Sequence, residues 1–277
     1  YNAAMPFFAN PQALHTEGLE AARMLDEARG SIATVLNVKS TELVFTSGGT
    51  ESNNLAILGY LAYLEQEGVA MADCHVLISA IEHPSVHSIF SDYVARGLSV
   101  TTVSPDAHGC IRPEEVERHV QDNTVLVSVA LVNSEIGTVQ PLNAIGKKLK
   151  KFKPNVKLPK SNASLESIVL HTDAAQGMYH SLVPSGLGVD MMSLDSGKMY
   201  GPRGVGLLYL RHKLHIAPVL HGGSQERGLR PGTENVALAS GFAAAFTDAA
   251  KLREKESKRL LTIRTELITQ LRKALPE

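Results

Sequence analysis

The sequence predicts an α/β domain, a mostly parallel sheet flanked by helices. Three observations predict it. Short apolar runs alternate along the chain with amphipathic stretches of helical period, as βαβ units do. The 277 residues, 44% of them hydrophobic, suffice for one large core, alone or with a short appendage. The polar residues able to carry chemistry cluster just past the apolar runs, where open parallel sheets bind ligands.

Taken in order, apolar residues at Leu19, Ala22, Leu25, Ala28, Ile32 and Val35 form the core stripe of a first helix. Leu43 to Thr46 is a strand that breaks at Gly48-Gly49-Thr50 into a helix continuing through Ala56 to Leu64. Cys74 to Ser79 is a strand leading to a helix that Pro84 starts. Leu98 to Val103, Val125 to Val132 and Ile168 to Thr172 supply further strands, separated by helices from Pro113 and Leu142. The basic run from Lys147 to Lys153 is a solvated helix face, because it lacks the interleaved aromatics of a nucleic-acid surface. The polar stretch after it, through Glu166, is an inserted surface loop. Leu187 to Leu194 is a buried strand, Gly201-Pro202-Arg203-Gly204 a turn and Val205 to Leu210 the returning strand. Two helical runs, Asn235 to Arg253 and Arg259 to Leu275, complete the chain.

Charge and composition exclude several classes. With 27 basic and 28 acidic residues and a net charge of −1, the chain has no field suited to nucleic acid or membrane. A small molecule or a protein is the expected partner. No apolar run approaches a membrane span and no signal peptide is expected. Two cysteines without a Cys-x-x-Cys exclude a disulfide scaffold and make a reducing cytoplasm the default. Cys74 leads into a strand and Cys110 sits in a turn, with no lysine or arginine immediately beside it to favour a thiolate, so both are read as structural. His83 and His87 stand four apart, a spacing that can bind zinc, but no further ligand is evident and no metal site is expected.

Four features carry the functional argument, and each has a plain alternative. Lys198, between a strand and a glycine-rich turn, is either a solvated side chain or an amine placed to attack an aldehyde. Asp173, at the tip of an apolar run, either caps a helix or meets a positive group such as a protonated pyridine nitrogen. Gly48-Gly49-Thr50 is an ordinary turn with a helix cap, or a phosphate cradle of bare N–H groups at the positive end of a helix dipole. His83 is a satisfied histidine or a flat ring lying on an aromatic one. Singly the plain readings win. Together the four occur in the order that a pyridoxal phosphate enzyme needs.

The chain resembles the class V, fold-type I pyridoxal phosphate enzymes, and among them the cysteine desulfurases of the NifS type. The resemblance runs through Phe8 to His15, Thr46-Ser-Gly-Gly-Thr-Glu-Ser52, Glu82-His-Pro-Ser85, Asn133-Ser-Glu-Ile-Gly-Thr138, His171-Thr-Asp-Ala-Ala-Gln176, Lys198 to Gly206 and Arg230-Pro-Gly-Thr-Glu234. It implies that Lys198 condenses with the cofactor aldehyde, that Asp173 pairs with the pyridine nitrogen, and that His83 stacks on the ring and carries protons. It further implies that Gln176 bonds the ring hydroxyl, that Gly49 and Thr50 hold the phosphate, and that Asn133 and Ser134 lie at the cofactor. Thr233 would reach the phosphate of a partner subunit, which implies a homodimer.

The chain also departs from the family. Where the family reads Ser-Gly-His-Lys, this sequence reads Asp195-Ser196-Gly197-Lys198, losing two phosphate ligands. Asp195 is expected to turn away from the phosphate and Ser196 to take over one contact. Ser134 replaces an asparagine that contacts the cofactor, a contact left to water. The segment from Tyr1 to Pro11 is compressed near Ala4 relative to the family. Residues 1–255 are read as the large cofactor-binding domain and 256–277 as a linker helix or the start of a small C-terminal domain that is largely absent. That domain carries the family's cysteine nucleophile and a substrate-clamping arginine, and neither can be matched here. The implied function is cysteine desulfurase, turning L-cysteine into L-alanine, or its cofactor-binding part, with a sulfur acceptor or iron–sulfur scaffold protein as possible partner. The alternatives are a selenocysteine lyase or related class V lyase or aminotransferase, and a catalytically incomplete dimerisation or sulfur-assembly partner.

Overall fold

The structure, a computed structural model, describes residues 9–275. The compressed segment near Ala4 lies outside them. The first helix, α1 (Thr16–Leu36), is capped by the His15 ring, which accepts the Gly18 N–H, and ends at Asn37 in the left-handed conformation. Next come β1 (Leu43–Thr46), α2 (Gly49–Gln66), β2 (His75–Ser79), the short helices α3 (Pro84–His87) and α4 (Phe90–Ala95), and β3 (Ser99–Val103). The middle of the chain forms α5 (Pro113–His119), β4 (Thr124–Ser128), α6 (Leu142–Leu149), a ribbon of β5 (Lys157–Leu158) and β6 (Ala163–Ser164), and β7 (Val169–Asp173). The last part is α7 (Pro184–Leu187), β8 (Met191–Asp195), β9 (Gly206–Leu210) and α8 (Val236–Ala274).

Seven strands form one sheet in the order β1-β9-β8-β7-β4-β2-β3. The five from β3 to β8 run parallel, and β9 runs antiparallel to both of its neighbours. The parallel strands, together with β1, therefore end on the same edge. Chain order reverses about β2, whose neighbours are β3 on one side and β4 on the other, a place where open sheets leave a crevice.

Alternate residues of the same strand feed two cores, one on each face. Leu77, Val127, Leu170, Met192 and Leu207 pack with Leu25, Ile32 and Leu36 of α1 and with Phe242 and Phe246 of α8. Val76, Leu126, Val169, Met191 and Leu208 pack on the other face with Ile57, Tyr60, Leu61 and Leu64 of α2. With helices on both faces, the strands read as continuous apolar runs.

Several boundaries differ from the sequence expectation. The strand expected from Leu187 starts only at Met191, because Pro184 opens a helical turn that Gly188 closes at φ 75. The strand expected through Val132 ends at Ser128. The chain bends there and Val132 pairs with Val139, which makes the Asn133 turn. Leu19 is 58% exposed rather than in the core, since the buried stripe of α1 runs through Gly18, Ala21, Leu25, Ala28 and Ile32. The two expected C-terminal helices are one. Glu254 to Lys258 contains no glycine or proline, and Lys258–Glu254 and Arg259–Glu256 ion pairs support the turn between them. The basic run is partly paired, with Lys148 and Lys151 bonding Glu117 of α5. The loop after it is the β5–β6 ribbon, which buries Val156 and Leu158 against the α2 side of the core.

Candidate active site

The segments that follow β1, β2, β4, β7 and β8 meet around one cavity of about 280 Å³. Gly49, Thr50, His83, Asn133, Ser134, Asp173, Gln176 and Lys198 all line it. Eight of the ten residues singled out from sequence are thus brought together from positions up to 149 residues apart in the chain (49 to 198).

Asp173 closes β7 with both carboxylate oxygens engaged. Oδ1 accepts the Ala175 N–H at 2.9 Å and Oδ2 accepts an amide hydrogen of Asn53 at 2.8 Å. Asn53 is fully buried in α2 and donates its other amide hydrogen to Ser85 Oγ at 2.9 Å. Ser85 Oγ lies 2.7 Å from His83 Nδ1, which also accepts the Ser85 N–H at 3.1 Å. A nitrogen that accepts a backbone N–H carries no proton, so the neutral ring holds its proton on Nε2. Asp173 and His83 are therefore joined through Asn53 and Ser85. Sequence reasoning missed both connectors. The available signal was Asn53's place one helical turn after Gly49, in line with the apolar stripe of Ala56, Ile57, Tyr60 and Leu64.

Glu82 was also missed. It is only 7% exposed, yet it lines the cavity. Its Oε1 accepts from the Ser79 hydroxyl and from the Ala130 N–H at 2.6 Å, while Oε2 has no partner among the described residues. Burial pushes its carboxyl up to about 7, against the lowering effect of those hydrogen bonds, and the charge of Asp173 adds to the rise.

Lys198 sits in a 3₁₀ turn, Ser196–Met199, that follows β8 and ends at Tyr200 in the left-handed conformation. It is exposed and, among the described residues, makes no ion pair. At the start of α2, Gly48 has φ 156 and ψ −179, a conformation open essentially to glycine. Gly206 of β9 comes so close that a Cβ there would lie 2.6 Å from the Gly48 backbone. Those two glycines seat the start of α2 against the sheet.

Asp195 corrects the sequence expectation. It does not turn away from the cradle; its Oδ2 accepts the Gly49 N–H at 3.0 Å, at the positive end of α2. Ser196 does not reach the cavity. It is fully buried, its Oγ has no hydrogen-bond partner among the described residues, and it fills the space where a Cβ on Gly201 would stand. Asn133 spends its side chain locally, accepting from the Glu135 and Ile136 N–H groups and donating to Ile81 O. Thr233 is exposed and lies outside the lining, and so do Cys74, which is buried, and Cys110, which is half-buried.

The ring and aldehyde end of pyridoxal phosphate fits this cavity, with Asp173, His83, Gln176 and Lys198 on its walls. The phosphate end does not fit as the side chains stand, because Asp195 already holds the Gly49 N–H.

Comparison with known proteins settles the ancestry. Residues 4–276 match the family model described as aminotransferase class-V. The chain belongs to this family. Class-V members of the cysteine desulfurase type depend on pyridoxal phosphate. The cysteine desulfurase IscS of Dictyoglomus turgidum is 36% identical over 100% of this chain and 67% of its own length. Among solved class-V structures, a NifS-like protein superposes with a TM-score of 0.86 at 32% identity, covering 96% of this chain and 69% of that one. A structure described as SspA in complex with cysteine is 36% identical with a TM-score of 0.75, covering 87% of this chain and 65% of that one. The chain spans about two thirds of the length of these relatives.

Proposed function

We propose that this class-V chain is the cofactor-binding core of a cysteine desulfurase acting on L-cysteine. The observation that carries the reading is that Lys198 and Asp173, 25 residues apart in sequence (173 to 198), open into the same cavity beside His83. Pyridoxal phosphate supplies an aldehyde for amines and a ring that withdraws electrons from the substrate Cα. Lys198 would be the amine that holds the aldehyde and the base that moves protons at the substrate Cα. Asp173, fixed by two hydrogen bonds, would supply the carboxylate that pairs with the ring nitrogen. His83 and Gln176 line the same cavity, where His83 would stack on the ring and Gln176 would bond the ring hydroxyl. Gly49 and Thr50 would form the phosphate end of the site and Ser134 part of the wall, whereas Asn133 shapes the wall by bracing its turn.

Sulfur leaves to a thiol other than Cys74, which is buried with its pKa pushed up to about 11, or Cys110, which lies outside the cavity. A homodimer in which Thr233 serves the partner's phosphate, a cytoplasmic location and a sulfur-acceptor or iron–sulfur scaffold protein as partner belong to the same proposal. So does the division into a large domain through residue 255 and a linker or small-domain start from 256, although α8 crosses that point unbroken. No helix among the described residues is long and apolar enough to cross a membrane. The second reading, a catalytically incomplete dimerisation or sulfur-assembly partner, draws support from Asp195 in the cradle. Titration of the purified protein with pyridoxal phosphate decides the cofactor part. A visible absorbance band that Lys198→Ala abolishes is expected, and a band that survives the substitution refutes the reading. Cysteine turnover to alanine then separates the enzyme from the incomplete partner.

A further inference from the structure

The start of α2 offers its backbone donors mostly to groups of the chain itself. The Ser47 N–H goes to Glu51 Oε2 at 2.6 Å, and Glu51 is held in place by Arg230 at 2.9 Å. The Gly48 N–H faces Thr46 Oγ1 at 3.4 Å, and the Gly49 N–H goes to Asp195 Oδ2. Asp195 also packs tightly there. A Cβ on Gly48 or Gly49 would meet it at 3.3 to 3.4 Å. The charge of the cavity points the same way, since Glu135, Asp173 and Asp195 line it against Lys198. A phosphate dianion entering this space must displace a carboxylate from its best donor and then lie among the remaining carboxylates.

We propose that Asp195 is the residue that sets the selectivity of this site against phosphate, by occupying the phosphate end of the cavity as an internal carboxylate. The cofactor's ring and aldehyde find their walls in place, whereas its phosphate competes with Asp195 for Gly49. The phosphorylated cofactor then gains much less over its dephosphorylated form than an open cradle would give it. This inference rests on the cofactor reading above and deepens it.

The test titrates wild type, Asp195→Ser and Asp195→Asn with pyridoxal phosphate and with pyridoxal, following the Lys198-dependent absorbance band. Asp195→Ser is expected to bind pyridoxal phosphate at least roughly tenfold more tightly than wild type, the scale of one charge-assisted hydrogen bond, with pyridoxal affinity changed little. Asp195→Asn, which removes the charge and keeps the shape, is expected to gain in the same direction. Thermal melts of the cofactor-free proteins give a second readout. Millimolar inorganic phosphate should raise the melting temperature of Asp195→Ser and leave wild type unmoved. The inference is overturned if pyridoxal phosphate binds wild type and Asp195→Ser equally, if pyridoxal gains as much as pyridoxal phosphate, or if phosphate stabilises wild type as strongly as the variant. If neither aldehyde gives a Lys198-dependent band in any of the proteins, the cofactor reading itself falls and takes this inference with it.

Discussion

Replacing Glu82 by glutamine isolates the cost of a buried carboxyl in the cavity wall. In the folded protein its pKa is raised from 4.5 to about 7, mainly by burial. Between those values the native state holds a proton that the unfolded chain has released. Stability from this group is therefore full below pH 4.5 and is lost as pH rises through 7. The interval corresponds to about 3 kcal/mol at 1.36 kcal/mol per unit. Glutamine keeps an oxygen for the Ser79 hydroxyl and the Ala130 N–H but cannot ionise. Relative to wild type, Glu82→Gln should gain about 3 kcal/mol between roughly pH 4.5 and pH 8. Urea unfolding of the cofactor-free proteins, followed by circular dichroism because the chain has no tryptophan, measures the difference at each pH. Contributions of all other groups cancel in that difference. A variant-minus-wild-type stability that stays flat to within about 0.5 kcal/mol across the range would refute the assignment of a neutral buried carboxyl.

Two buried imidazoles act in the opposite sense. His171, bonded to Ser128 and Ser193, is lowered to about 3, and His75, between Thr101 and Thr124, is lowered to about 4, both mainly by burial. Their contribution is present above 6.5 and lost as pH falls, so the Glu82→Gln protein should lose about 2 kcal/mol for each histidine between pH 6.5 and about pH 5. Urea midpoints that do not fall over that interval would contradict it. The Arg29–Glu226 pair is buried and bidentate, at 2.8 and 2.6 Å, and Glu226 Oε2 also accepts the Phe45 N–H. Arg29→Met should cost about 3–5 kcal/mol by stranding that carboxylate, while the double change Arg29→Met with Glu226→Met should recover a large part of the loss. A single-variant cost below about 1 kcal/mol would show that the pair is not desolvated.

The layering of the fold was legible because strands covered on both faces read as continuous apolar runs, and because the breaks at Gly48, Pro84 and Pro113 coincide with real helix starts. The candidate site was legible at the same places, since Lys198, Asp173, His83 and Gly49 all stand at or just past strand ends that the sheet brings to one edge. What stayed hidden depends on side-chain direction. Spacing cannot tell that Ser196 faces Gly201 rather than the cavity, or that Asp195 faces Gly49, because they stand where β8 passes into a tight turn whose rotation no periodicity fixes. Glu82 was hidden for a different reason. An acid beside His83 reads as solvated until the sheet places it next to the Ala130 backbone.

The elements that the sequence presents as separate partners are mechanically one. The first residue of α2, Gly49, holds Asp195, and one turn later, about 6 Å along the axis, Asn53 holds both Asp173 and Ser85, which in turn fixes His83. The phosphate end, the acid and the histidine are therefore referenced to a single buried helix rather than to three independent loops. Because α2 is packed against β8 and β9 through Ile57, Tyr60 and Leu61, it moves as a rigid body or not at all. Asp195 can thus change the occupant of the phosphate end without disturbing Asp173 or His83, provided its own rotation is the only adjustment required. The departure at Asp195 acts on cofactor affinity, and the groups that would do chemistry keep their places.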